Sequence, residues 1–250
     1  MNLHRIARTV HRWLAWLIGL QLLAWLVGGV VFAWLPFQPW VKAQDMVGKP
    51  VVDLGADWPA QLQAALAASA PAAAVRGVAA VPGADGALWR LTLADGRVHR
   101  LRADGRPWTA PEGRDIERYA QALYRGGGRM VGTAERMSTA PARLGIVQEM
   151  AGRRDLWRVR FDDTLGTRLY FDGEGGEFLT ARTEAWVWYD LLWRLHIMDY
   201  TGGDDFNNAL LRGAAPLALL MGLAGTVVAL QAGWFRLQGR RRRLHGASGG

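Results

Sequence analysis

WLAWLIGLQLLAWLVGGVVFAWLPFQPWV, from Trp13 to Val41, contains no Asp, Glu, Lys or Arg. A stretch this long with no ionic side chain reads as a membrane span, because a charge inside hydrocarbon is costly. Pro36 and Pro39 cannot continue a helical hydrogen-bond ladder, so the helix is expected to end near Leu35. A second charge-free run, Gly213 to Phe235, makes a helix of about 34 Å at about 1.5 Å per residue, enough for a hydrocarbon core of about 30 Å. A buried helix of a soluble protein is the competing reading for each. For the first, a cleaved signal peptide is another. Its apolar core is too long for one, and WLPFQPW offers no small-residue cleavage site, so an uncleaved signal anchor is expected.

The basic residues give the orientation. Arg5, Arg8 and Arg12 precede the first run, and Arg236 and Arg240, Arg241, Arg242 and Arg243 follow the second. Neither tail holds an acidic residue, so the whole formal charge of +8 sits on the tails and the middle is formally neutral. This is the positive-inside pattern for both ends. It places the termini in the cytoplasm, with Arg12, Arg236 and Arg240 to Arg243 as anchors against anionic headgroups. The same partition removes nucleic acid as a partner, although the isoelectric point is near 10.7. The chain has no cysteine, which excludes thiol catalysis, iron–sulfur clusters, Cys-ligated zinc and disulfide staples.

Between the spans, two stretches look alike: LWRLTLADGRVHRLRADGRPW (Leu88 to Trp108) and LWRVRFDDTLGTRLYFDGEGGEFLTAR (Leu156 to Arg182). Each begins Leu-Trp-Arg and alternates apolar with polar residues, as half-buried strands do. Each is broken by turns at Asp95-Gly96, Asp104-Gly105, Asp172-Gly173 and Gly175-Gly176. A helix is predicted ahead of each. Trp58 to Ser69 has Asp57 as N-cap and Pro59 in its first turn. Asp115 to Tyr124 sets Ile116, Tyr119, Ala120 and Leu123 on one face. The expected unit is one helix followed by a short antiparallel sheet, present twice. Gly126 to Gly128 and Thr139 to Pro141 read as flexible joins.

AWVWYDLLWRLHIMD, Ala185 to Asp199, is rich in Trp186, Trp188, Tyr189 and Trp193, with Tyr200 next. Aromatic rings with one polar atom favour the headgroup region, so these five are candidate membrane-interface residues. Packing of this helix on the domain's own sheet is the competing reading, and both can hold. Asp204, Asp205, Asn207 and Asn208 are candidate caps for the next helix. A calcium loop is the sharper reading of the same residues, but they lack an ordered ligand spacing.

The organisation expected is therefore an α+β membrane protein. It comprises a cytoplasmic tail (1–12), a first span (13–35), a first unit (36–110), a second unit (111–184), an interfacial aromatic helix and loop (185–212), a second span (213–235) and a basic tail (236–250). No catalytic triad, phosphate loop or zinc-protease motif is present. Of five histidines, His4 and His245 lie in the tails and His99 on an expected strand. His11 and His196 flank the membrane region, and neutral imidazole there can ligate haem iron. The two are expected about a bilayer apart. Shared haem would then require a symmetric dimer, pairing each with its own copy. The plainer reading is that both are interfacial polar residues.

Taken together, HRWLAWLIGLQLLAWLVGGVVF (His11 to Phe32), the two Leu-Trp-Arg stretches and LHIMDYTGGDDFNN (Leu195 to Asn208) resemble PepSY-domain membrane proteins of the PepSY-associated transmembrane-helix type. The resemblance covers nearly the whole chain. It implies a helix-plus-sheet fold for each repeat and a periplasmic domain on a bacterial inner membrane. It also implies a role in binding or regulating an extracytoplasmic protein or peptide partner, without catalysis. Larger relatives look like haem-bearing siderophore or ferric reductases with four spans. That implies His11 and His196 as ligands of a possible haem b, a link to iron uptake, and a reductase component as the alternative function. This chain has two spans and few histidines.

Overall fold

The computed structural model describes residues 3–68, 75–104, 106 and 108–246. The chain divides into two compact units: Met1–Trp34 with Asp190–Gly250, and Leu35–Tyr189.

The first unit is helical. Helix α1 runs Leu3–Trp34 and stops two residues before Pro36, where the ladder loses its donor. Helix α4 runs Glu184–Ile197 and contributes its residues from Asp190 onward to this unit. Helix α5 runs Ala209–Gly246, past both ends of the charge-free run that predicts it. Two segments, Arg5–Trp34 and Ala209–Arg236, are long and apolar enough to cross a membrane, and little of either is buried against protein. Leu20, Leu26, Leu219 and Leu230 all stay exposed.

The second unit holds two helix-plus-sheet modules. Helix α2 (Trp58–Ala68) precedes a three-stranded antiparallel sheet, β1 (Val75–Gly83), β2 (Gly86–Leu93) and β3 (Val98–Arg102), in the order β1-β2-β3. Helix α3 (Gly113–Leu123) precedes a four-stranded sheet, β4 (Met130–Thr139), β5 (Arg154–Phe161), β6 (Arg168–Asp172) and β7 (Phe178–Arg182), in the order β4-β5-β6-β7. The Leu-Trp-Arg stretches form β2 and β5, as their alternation requires. The same Trp faces equivalent partners in both: Trp89 pairs with Leu101 and Trp157 with Phe171. Trp89 lies 6.0 Å, ring to ring, from Trp58, which opens α2. Trp157 lies beside Gly113, which opens α3.

Each core follows from the helix periodicity. Ile116, Ala120 and Leu123 of α3 bury against Val159, Phe161, Leu169 and Phe171. Leu62 and Leu66 of α2 cover Trp89, Leu91 and Ala103. At the start of α3 the backbone N–H of Glu112 donates to the Asp115 carboxylate (3.0 Å), satisfying a group the helix itself leaves free.

Three features differ from expectation. Each sheet has a leading strand, β1 and β4, ahead of the strand that its Leu-Trp-Arg stretch predicts, and Thr139 ends β4 instead of opening a flexible join. The segment opening the first expected unit belongs structurally to the second. A π-helical turn at Phe37–Val41 leads into Met46–Gly48, which hydrogen-bonds to the end of α3: Gly48 N–H to the Leu123 carbonyl (2.7 Å) and Arg125 N–H to the Met46 carbonyl (2.9 Å). The boundary of the repeat in space therefore does not follow 36–110.

The third difference is that the two modules are joined by charge. Arg100 of β3, 9% exposed, reaches Asp172 (3.0 Å) and Glu174 (2.7 Å) in the turn between β6 and β7. Arg90 of β2 reaches Glu177 (2.7 Å). Gly176 in that turn has φ +65° and lies against Ala84, Pro111 and Ile116, so a side chain would be both strained and crowded there. The face of β6 turned away from α3 carries a buried polar cluster. Glu149, 2% exposed, accepts from Arg168 (3.0 Å from Nε) and from the Tyr170 hydroxyl (2.6 Å). Burial, then the Glu149 charge, holds the Tyr170 phenol well above its usual range.

Candidate functional site

His11 does not point into water at the end of α1. Its Nδ1 lies 3.1 Å from the Met221 carbonyl oxygen of α5, and its ring rests against Gly225. Only a residue without a side chain leaves room there, since a Cβ on Gly225 would lie 2.9 Å from the imidazole. With Nδ1 donating to a carbonyl, the lone pair is left on Nε2, the tautomer found in most metal-ligating histidines.

His196 sits in an aromatic box. Trp193 stacks on it at 6.3 Å, while Phe32 (5.9 Å) and Trp25 (6.2 Å) of α1 close other sides. Its Nδ1 is buried without a hydrogen-bond partner. Its main-chain carbonyl accepts the Trp25 indole N–H (2.7 Å), and the neighbouring Leu195 carbonyl accepts from Gln21 (2.8 Å). Gln21 and Trp25 lie about 15 and 21 Å along α1 from His11 at 1.5 Å per residue. The two histidines are therefore held apart and cannot ligate one iron together. Among the described residues, each place offers a single histidine.

The turn after His196 is organised by one carboxylate. Met198 takes a left-handed φ of 56° and ends α4. Asp199 then accepts the backbone N–H groups of Thr201, Gly202, Gly203, Asp204 and Asp205 and the Thr201 hydroxyl. These bonds, led by that from Asp205, hold its carboxyl far below the usual range. Arg194, 3% exposed, bonds Asp190 (2.5 Å) and the Thr201 carbonyl (3.2 Å). Trp193 donates to the Gly203 carbonyl (3.2 Å). Asn208 caps α5 through Leu211 N–H (2.9 Å) and also ties back to the Ile197 carbonyl (2.8 Å). Of the four expected caps, Asn208 takes the role directly. Asp205 accepts from Asn207 N–H inside the turn (2.8 Å).

The candidate interface aromatics divide between the units. In the domain, Trp186 lies under the Arg182 guanidinium (4.2 Å) and Tyr189 meets Phe37 edge-on (5.2 Å). In the helical unit, Trp193 is engaged as above. Trp188 and Tyr200 are exposed. The helix begins at Thr183, whose hydroxyl accepts the Trp186 N–H (3.0 Å) and donates to the Trp40 carbonyl (2.6 Å). Of the arginines expected as cytoplasmic anchors, Arg236 is exposed. Arg240 to Arg243 continue α5, their side chains outside the described residues.

Sequence reasoning missed one feature of the domain. Strand β7 ends its sheet, and a groove of about 470 Å³ runs beside Phe178 to Ala181. Its other wall is built by the segment from Gln38 to Pro50, which brings Lys42 and Lys49 to the groove, while the exposed Asp45 between them is not among the lining residues. The sequence signal for it is faint: a strand closing a sheet, and two lysines in a segment whose place in the fold only the structure reveals. Elsewhere in the domain, burial and the charge of Glu177 push the Tyr119 hydroxyl up to about 12. Tyr124, bonded to Asp163 (2.7 Å), is pushed up to about 12 by burial and then by that carboxylate. Among the described residues, no group of three or more His, Asp or Glu is placed to hold a metal ion. No family model, curated protein or solved structure matches this chain.

Proposed function

We propose that this chain is a membrane-anchored binding protein of the PepSY type, with no catalysis of its own. Both termini lie in the cytoplasm, and the domain lies on the outer face of a bacterial inner membrane. There the domain holds an extended segment of a protein or peptide partner. The observation that carries this is the end strand β7 beside a groove walled by Lys42 and Lys49. An edge strand offers unpaired main-chain groups that a partner can extend, with side-chain pockets adding selectivity. The two lysines favour a segment carrying carboxylates.

A photo-crosslinking residue at Leu179 of the full-length protein tests this, with synthetic ten-residue acidic and basic peptides as probes. The acidic peptide crosslinks, and Lys42→Glu with Lys49→Glu removes the crosslink while membrane yield stays unchanged. Equal labelling by both peptides in the wild type and the variant overturns the proposal.

One observation favours a second reading, a haem-bearing electron-transfer subunit. The His11 Nδ1 contact with the Met221 carbonyl orients the ring as a ligand is usually oriented. His11 and His196 would each hold haem b only with the same residue of a second copy, so this reading requires a homodimer. The group would supply one-electron transfer toward ferric iron. Purified protein from haem-replete cells then shows a Soret band that His11→Ala or His196→Ala weakens, and a colourless preparation removes this reading.

A further inference from the structure

The α1–α5 contact sets where the α4–α5 turn stands in a bilayer, provided that α1 and α5 are spans as proposed. His11 of α1 meets Met221 and Gly225 of α5. Gln21 and Trp25 of α1 meet the carbonyls of Leu195 and His196, and Asn208, one residue before α5, bonds to Ile197. The two helices are therefore antiparallel, and their charge-free runs are out of step. Arg212 precedes Met221 by about 14 Å of helix, and Arg12 stands beside His11. Only about 15 Å of height is free of charge on both helices at once, half of a hydrocarbon core of about 30 Å.

Flanking segments must meet the rest of the core. On the side of His11 these are Arg5, Arg8 and Arg12, whose long side chains can carry their charge out to headgroups. On the other side they are the last turn of α4 and the turn that follows, alongside Gln21 and Trp25. These positions lie well inside the charge-free run of α1, with Trp34 about 14 Å further on.

That turn has the construction a low-dielectric setting requires. The Asp199 carboxylate is saturated by backbone N–H groups and a hydroxyl, Arg194 is bonded to Asp190 and a carbonyl, and the Gly203 carbonyl takes the Trp193 indole. Its exposed large side chains are aromatic, Tyr200 and Phe206. Asp204 and Asp205 are exposed as well, which sets the depth at the headgroups and no deeper. We infer that the turn 198–208 is seated in the outer leaflet at the headgroup–acyl boundary, with Tyr200 and Phe206 against lipid.

The absence of cysteine makes the test direct. Single-cysteine variants Phe206→Cys, Tyr200→Cys, Leu20→Cys and Val51→Cys of the full chain are placed in proteoliposomes with a membrane-impermeant maleimide. Phe206, Val51 and Leu20 are 56%, 81% and 83% exposed to solvent in the protein alone, so slow labelling reports lipid and not protein burial. Val51→Cys labels fast and Leu20→Cys does not label. Phe206→Cys and Tyr200→Cys label at least about tenfold slower than Val51→Cys, because an apolar setting withholds the thiolate. If both turn positions match Val51→Cys while Leu20→Cys stays silent, the inference falls and the spans stand. If Leu20→Cys also labels fast, the spans themselves fall.

Discussion

Arg100 of the first sheet bonds Asp172 at the end of β6 in the second at 3.0 Å, so its guanidinium bridges the two modules, as that of Arg90 does through Glu177. Arg100 also meets Glu174 and approaches Glu177, whose Oε1 is buried without a hydrogen bond. Arg100→Ala removes the counter-charge from this acidic turn. Asp172 and Glu174 keep access to water, so the cost is about 1–3 kcal/mol, below that of a fully buried pair. Thermal unfolding of the detergent-solubilised protein should shift down. Hydrogen exchange should speed up first in Asp172 to Glu177. An unchanged melting temperature would show that Arg100 contributes nothing to holding the sheets together.

Glu149 is the most deeply buried acid in the domain, and it serves two partners at once. Glu149→Ala leaves the Arg168 guanidinium without its buried partner, and Arg168 retains only Glu184 and the Gly166 carbonyl. Loss of one side of a buried pair costs about 3–5 kcal/mol. Denaturant titration should show it. Glu149→Gln, which keeps the shape and one acceptor oxygen for Arg168, should lose less than Glu149→Ala.

The parts of this fold that were legible are those that depend on local pattern. Trp13 to Val41 announces a helix by excluding charge, Pro36 marks its end, and each Leu-Trp-Arg announces a strand by alternation. Strand β1 is hidden because in VRGVAAVPG the three valines are interrupted by Ala, Gly and Pro, which weaken the strand signal and break its alternation. Strand β4 was hidden because MVGTAERMST does not alternate cleanly. The pairing of Met46 to Gly48 with α3, the reach of Arg100 and the burial of Glu149 are long-range facts, and nothing in the local sequence encodes a partner. The contact of His11 with Gly225, more than 200 positions away, is long-range too, and a small residue in an apolar helix carries no signal of what it admits.

Asp199 makes the α4–α5 turn sensitive to acid. Its carboxyl is held below its unfolded value, so its contribution is complete above that value, near 3.9, and is lost as pH falls toward the folded one. Amide exchange at Gly203 to Asp205 should therefore accelerate below about pH 4. Asp199→Asn should exchange faster than wild type at neutral pH and lose the acid-dependent step. A wild-type profile flat down to pH 2 would contradict the assignment.

Tyr119 and Tyr124 work in the opposite direction. Both hydroxyls are raised to about 12, so the neutral form is the one the fold prefers. Their contribution is present below the unfolded value near 10 and is lost as pH rises toward 12. Ultraviolet titration should show these two ionising above the usual tyrosine range near 10. Tyr124→Phe removes the bond to Asp163 and the contact with Gly128 N–H, and should lower stability by about 1 kcal/mol.

Leu26 and Leu220 separate two ways of placing the lipid. Both are exposed on apolar helices, so an arginine at either disturbs little protein packing. If the core simply followed each charge-free run, both would be deep and both would cost roughly 2.5–3.5 kcal/mol. The contact between His11 and Met221 puts them at different depths. Leu220 stands one residue from Met221, inside the core near the His11 end of the height shared by α1 and α5. Leu26 stands beside Trp25, level with the end of α4, where an arginine can reach headgroups. Leu220→Arg should therefore cut membrane-inserted yield strongly, and Leu26→Arg should cost roughly 1 kcal/mol or less. Equal losses would return the lipid to the charge-free runs and lift the α4–α5 turn clear of the membrane. No loss in either would deny that these helices meet lipid at all.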